Sequence, residues 1–211
     1  MINKTYRQTS TLEKIRKEFQ LPREFPSVLL FHFFDREFYL KLREQVARSY
    51  FTKEVERTTH SYALADGPAL LTKFFNSQGF LDLLSTISGT LVPKIEQKTE
   101  TGLYSFSWKD YTILSDTAWE EPGIDIILDF TAAWEERAGG AIVYKDEQGN
   151  FISVPIAPNL LAIVERKPGV QRYVQYVNHY AGKKKRYLFV GTVSCTLSNH
   201  IPHQQHYRAG N

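Results

Sequence analysis

Two aspartates in the segment "IDIILDF", Asp125 and Asp129, are the side chains whose type and spacing most invite chemistry. The segment is apolar and rich in isoleucine, which marks a strand. Residues of equal parity on a strand share a face, so Asp125, Ile127 and Asp129 point the same way. A lone carboxylate in a sheet interior costs several kcal/mol, and pairing with a cation is the expected resolution. Together with Ser115 and Thr117, the two carboxylates would otherwise make an oxygen donor set suited to Mg²⁺, Mn²⁺ or Ca²⁺. Desolvation that raises one pKa would turn the same carboxylates to acid–base work, which makes Asp125 and Asp129 the candidate catalytic residues.

Other reactive types are sparse. The single cysteine, Cys195, excludes an intramolecular disulfide and a thiolate zinc cluster, and it reads as a small apolar strand residue. His200, His203 and His206 recur every third residue in "HIPHQQHY", but Pro202 interrupts the run and it lies at the chain end. A flexible tail is the expectation there. The basic run "GKKKRY" (182–187) reads as a solvated loop before the last strand, His60 as structural or exposed, and Trp119 as a pocket cover or a packing residue. The chain has no serine-nucleophile elbow, phosphate-binding glycine loop or dinucleotide fingerprint.

The elements that must position these residues follow from pattern. Length suits one domain with a substantial core, and 42% hydrophobic with 23% charged residues is ordinary for a globular protein. The 14 Phe and 12 Tyr favour sheet over helical bundle. A net charge of +3 does not imply nucleic acid, and no such partner is expected. No stretch approaches a membrane span or a signal-peptide core, so a cytoplasmic location is expected.

The first half reads as helices. Ser10 and Glu13 have capping-box spacing before an apolar face at Leu12, Ile15 and Phe19, which Pro22 ends. "PSVLLFHFF" is a short apolar run that reads as a strand. Asp35 caps "REFYLKLREQVARSYF", Pro68 opens "GPALLTKFF", and Asn76 or Ser77 caps "QGFLDLLSTIS", closed by Gly89. From Leu103 onward short β-rich runs follow one another, separated by turn material such as "DEQGN" and "RKPG". The expected fold is α+β, with N-terminal helices supporting an antiparallel sandwich. The divisions are a helical extension (1–24), a main domain (25–196, helices 35–89 and sandwich 103–196) and the histidine-containing tail (197–211).

This order of elements resembles the prolyl-hydroxylase branch of the 2-oxoglutarate/Fe(II) dioxygenases, and the ribosomal prolyl hydroxylases in particular. The match runs over roughly residues 25–195 and is most specific from Tyr111 to Gly140. That family carries Y-x-x-x-H-x-D on one strand, a second strand ending Y-L, then a Trp and a Gly-Gly pair. Tyr111, Trp134, Gly139 and Gly140 fall in register with it. "YVQYV" matches the pattern after the family's distal His, and Arg186, five residues before Gly191, matches its 2-oxoglutarate-binding Arg. The implied fold is a jelly-roll, or double-stranded β-helix, of cupin-like form.

The resemblance also implies what has changed. Ser115 stands for the first His, Thr117 for the Asp, and Arg172, or Gln171 if the register slips by one, for the distal His. Asp116 does not rescue the site, because neighbouring strand residues face opposite ways. Hydroxyls are poor substitutes for imidazole and carboxylate, and an arginine cannot ligate iron. No metal and no cosubstrate are therefore expected. Asp129 takes the position of the family's Tyr, which places a carboxylate where the keto acid's carboxylate would sit, and either Asp129 or Asp125 is expected to pair with Arg186. Tyr111, Asp129 and Arg186 are thus the expected pocket positions. The leading expectation is a non-catalytic binding or scaffolding protein with a protein or peptide partner at the former substrate mouth. The alternatives are an active hydroxylase using Fe(II), 2-oxoglutarate and noncanonical ligands, or a pocket repurposed through Asp125 and Asp129. Partner identity and oligomeric state are not encoded legibly.

Overall fold

The computed structural model of the chain describes residues 1–90, 102–113 and 123–194. In chain order the elements are α1 (Thr9–Phe19), β1 (Ser27–Leu30), α2 (Arg36–Arg48), β2 (Thr52–Glu56), β3 (His60–Ala65), α3 (Ala69–Phe75) and α4 (Gln78–Ser88). The strands β4 (Gly102–Phe106), β5 (Tyr111–Thr112), β6 (Gly123–Asp129), β7 (Ile142–Lys145), β8 (Phe151–Val154), β9 (Leu160–Arg166), β10 (Gln171–Val174) and β11 (Arg186–Ser194) follow. This is an α+β jelly-roll sandwich. Eight strands form the larger sheet in the order β1-β9-β6-β11-β4-β3-β2, with β5 also on β3, and β10-β7-β8 form the smaller one. Every pairing among the described residues is antiparallel.

Alternation along β6 divides the core in two. Ile124, Ile126 and Leu128 pack under the helices with Leu42, Leu84 and Phe189. Ile127 points into the space between the sheets, among Ala162, Leu188, Val190, Ile142 and Val174. Asp125 and Asp129 share the parity of Ile127 and are fully buried on that inner side.

Local signals account for most boundaries. The Asp35 side chain accepts from the Phe38 N–H (2.9 Å) and opens α2, Ser77 opens α4, and Gly89, at φ 76°, ends it in the left-handed region. Ile15 and Phe19 of α1 belong to the same core as α2, α3 and α4. Two readings need correction. Ser10 lies within α1, whose N-cap is Gln8 with no side-chain cap, so the capping-box spacing is not used. The stretch 35–89 is not all helix: β2 and β3 interrupt it as a hairpin, and β3 pairs with β4 in the larger sheet. "TKEVE" and "HSYALA" lack the strict alternation that marks a half-buried strand, because β2 is exposed throughout and β3 is only partly covered. Among the described residues no helix is long and apolar enough to cross a membrane.

Candidate functional site

β11 carries Arg186, Leu188, Val190 and Thr192 on one parity, and that face looks into the sandwich. Thr192 is directly opposite Asp125 and Leu188 opposite Asp129, so Arg186 lies diagonally beyond Asp129. The Arg186 Nη2 donates to Asp129 Oδ2 at 3.2 Å. Both residues are sealed, at 0% and 1% exposure. Arg186 Nη1 donates to the Gly140 carbonyl, and the other Asp129 oxygen accepts from the Thr131 N–H at 2.7 Å.

The Trp and Gly-Gly pattern serves this couple. Gly140 has φ 79°, and a Cβ there would meet Val177 at 3.0 Å and Trp134 at 3.4 Å. The Trp134 indole N–H donates to the Gly139 carbonyl at 2.8 Å and fixes the turn that turns the Gly140 carbonyl toward the guanidinium. Burial pushes the Asp129 carboxyl up, and the Arg186 charge and the Thr131 hydrogen bonds oppose it. Burial likewise pulls Arg186 down, with Asp129 opposing. An arginine keeps its proton in a protein, so the couple is a charged one.

Asp125 is held differently. Thr192 Oγ1 donates to its Oδ1 at 2.8 Å from the larger sheet. From the smaller sheet, Tyr144 and Arg172, a cross-strand pair, each donate to Oδ2 at 2.9 Å. The Arg166 Nη1 on β9 lies 3.6 Å from Oδ1. Burial, and then the Asp125 charge, push the Tyr144 hydroxyl well above its usual range.

Outward from this cluster a cleft of about 510 Å³ opens between the sheets. Arg172, Tyr62, Tyr104, Phe106, Thr112 and Val174 are among its walls. Asp129 and Arg186 lie beneath it and do not reach it. Tyr111, expected at the pocket, faces away: its hydroxyl donates to the Arg57 carbonyl at 2.7 Å and its ring meets Tyr176. Its neighbour Thr112 takes the inward parity. His60 stacks on Tyr62 at 4.8 Å on the cleft wall. Ser115, Asp116, Thr117, Trp119, Cys195, His200, His203 and His206 lie outside the described residues. The residues that sequence reading missed are Tyr144, Arg166 and Thr192. Thr192 was recoverable, since it shares the parity of Arg186, whereas the other two depend on cross-strand register.

Comparison with known proteins places this geometry. The family model described as oxoglutarate and iron-dependent oxygenase degradation C-term matches residues 52–200. The chain belongs to that family. Comparison with curated protein sequences gives no significant match. Among solved structures, the oxygenase-degradation chain is similar to a prolyl-4-hydroxylase from Pseudomonas putida (TM-score 0.64, 11% identity, 85% of this chain and 98% of that one). It is also similar to a Trichoplax adhaerens prolyl hydroxylase in complex with a hypoxia-inducible-factor peptide (0.61, 12%, 89% and 93%) and to a 2-oxoglutarate–Fe(II) oxygenase from Burkholderia pseudomallei (0.62, 10%, 87% and 90%). The family model places the chain among the oxoglutarate- and iron-dependent oxygenases, and the solved structures show the same fold.

Among the described residues, the two positions that the resemblance assigns to cosubstrate and distal ligand are engaged elsewhere. Arg186 would have to receive the keto acid's carboxylate, but its two Nη atoms are engaged by Asp129 and Gly140, and its Nε, without a partner among the described residues, is sealed from solvent. Arg172, at the distal ligand position, is a cation that cannot coordinate a metal and donates to Asp125 instead. Among the described residues no three His, Cys, Asp or Glu side chains converge on one point. Of the proposed oxygen donors, Asp129 accepts from the Thr131 N–H and Arg186, and Asp125 from Tyr144, Arg172 and Thr192.

Proposed function

We propose that the chain is a non-catalytic binding module of the 2-oxoglutarate oxygenase fold, its cosubstrate position filled by its own side chains. One observation carries this: the carboxylate that Arg186 meets belongs to Asp129. A fold outlasts its chemistry when the site is lost, because function belongs to the site. The cleft above the buried couple then serves as a docking mouth. Its aromatic wall of Tyr62, Tyr104 and Phe106 offers area at small entropic cost, and the Arg172 guanidinium at the rim, 14% exposed, offers a polar anchor. A peptide segment is the occupant that suits such a mouth.

Melting the purified protein with 2-oxoglutarate and either Fe(II) under anaerobic conditions or Mn(II) tests the reading. A ligand at a hundred times its Kd stabilises by about 2.7 kcal/mol. The expected result is an unchanged melting temperature with metal, keto acid or both. Stabilisation that requires the two together would restore the oxygenase reading.

A further inference from the structure

On the outer surface, apart from the buried couple and the cleft, three loops are laced side by side. The loop after β4 meets the loop after β10 through Lys109 N–H to Val177 O and Val177 N–H to Asp110 O, both 2.8 Å. The loop after β6 joins them through Asn178 N–H to Ala138 O (2.9 Å) and the Asn178 amide to the Arg137 carbonyl (2.6 Å). Gly139 makes the approach possible: it has φ 72°, and a Cβ there would stand 2.3 Å from the Tyr176 carbonyl.

This scaffold displays large rings to solvent. Trp108, Tyr176 and Tyr180 are 50%, 51% and 45% exposed. Two of them carry a cation on one face: Lys109, held at φ 75°, lies 4.8 Å from the Trp108 ring, and the Arg137 guanidinium lies 4.3 Å from that of Tyr180. The exposed run Lys183–Lys185 continues the same loop. Glu135 occupies Arg137 and Lys184, at 2.8 and 3.2 Å. No carboxylate pairs with Lys109, Lys183 or Lys185 among the described residues.

We propose that this surface binds single-stranded nucleic acid. Exposed rings beside unneutralised lysines are what a flexible polyanion with stackable bases requires: the lysines meet phosphates and the rings meet bases. A duplex hides its base faces within the stack, so it has no use for the rings. An acidic peptide would satisfy the lysines and leave Trp108, Tyr176 and Tyr180 uncovered. The proposal does not depend on whether the buried chamber is silent, since none of the exposed rings or lysines belongs to it.

Fluorescence anisotropy of a short labelled oligouridine against the full chain tests it. Saturable binding is expected, weakening with salt at a log–log slope near −2, since each neutralised phosphate contributes about −0.7 on a single strand and three lysines have no carboxylate partner among the described residues. Trp108→Ala and Tyr180→Ala should each weaken binding by about fivefold or more. The double variant Lys183→Ala/Lys185→Ala should flatten the salt slope. All these side chains are exposed, so melting temperatures should match the parent; should one variant melt early, Tyr176→Ala supplies the same readout. Absence of saturable binding would overturn the proposal. So would equal affinity for a duplex of the same length or for polyglutamate, or full affinity in the ring variants.

Discussion

Asp125 and Asp129 occupy one face of one strand, four residues apart and equally buried, yet the molecule solves the two charges in opposite ways. Asp129 has one guanidinium, the N–H and hydroxyl of Thr131, and no view of solvent. Asp125 has a tyrosine, a threonine and two arginines, one of which reaches the cleft. A closed couple fails when either member is lost. A shared hub spreads the loss over the donors that remain. Buried ion pairs are weak evidence for stability as such, but stranding one half is expensive.

The comparison breaks most sharply at Arg186. Arg186→Ala leaves Asp129 without the only cation it meets among the described residues, and urea unfolding should show a loss of about 3–5 kcal/mol. The paired variant Arg186→Met/Asp129→Leu should recover most of that loss, because the stranded charge is gone; a double variant as weak as the single would mean that the couple contributes more than mutual neutralisation. Arg172→Ala should cost less, about 1.5–3 kcal/mol, the range for a hydrogen bond to a charged group, since Tyr144, Thr192 and Arg166 still face Asp125. Equal losses at Arg172 and Arg186 would erase the distinction between hub and couple.

The smallest effect uses Tyr39 as a reporter. Its hydroxyl is pushed up to about 12, by burial first and by the Asp129 charge second. Because the folded value is raised above the unfolded one, its contribution to stability is complete below about pH 10 and is lost as pH climbs through 12. Alkaline spectrophotometric titration should place the Tyr39 transition slightly lower in Asp129→Asn and leave it unmoved in Asp125→Asn.

What could be read in advance follows the range of the interactions. The period of two in "IDIILDF" puts Asp125 and Asp129 on a common face without any tertiary knowledge, and the caps at Asp35 and Ser77 are equally local. The spacing from Arg186 to Gly191 and the Trp and Gly-Gly pattern carried the family resemblance, and with it the neighbourhood of Asp129 and Arg186. The hub around Asp125 is not legible in this way, because Tyr144 and Arg172 meet Asp125 only once the smaller sheet has closed over the larger. The hairpin of β2 and β3 was hidden for a different reason: its solvent-facing and half-covered residues have no strict hydrophobic period to display. Tyr111 fell on the outward parity because Thr112 is the residue turned to the cleft, and the motif alone does not show which of two neighbours faces in.

The seal around Arg186 also bears on the history open to this chain. Replacing Asp129 alone would leave an unneutralised guanidinium deep in the barrel, and replacing Arg186 alone a stranded carboxylate. The interior salt link therefore acts as a two-key lock: substitutions at either position are expected to be tolerated only when both change together.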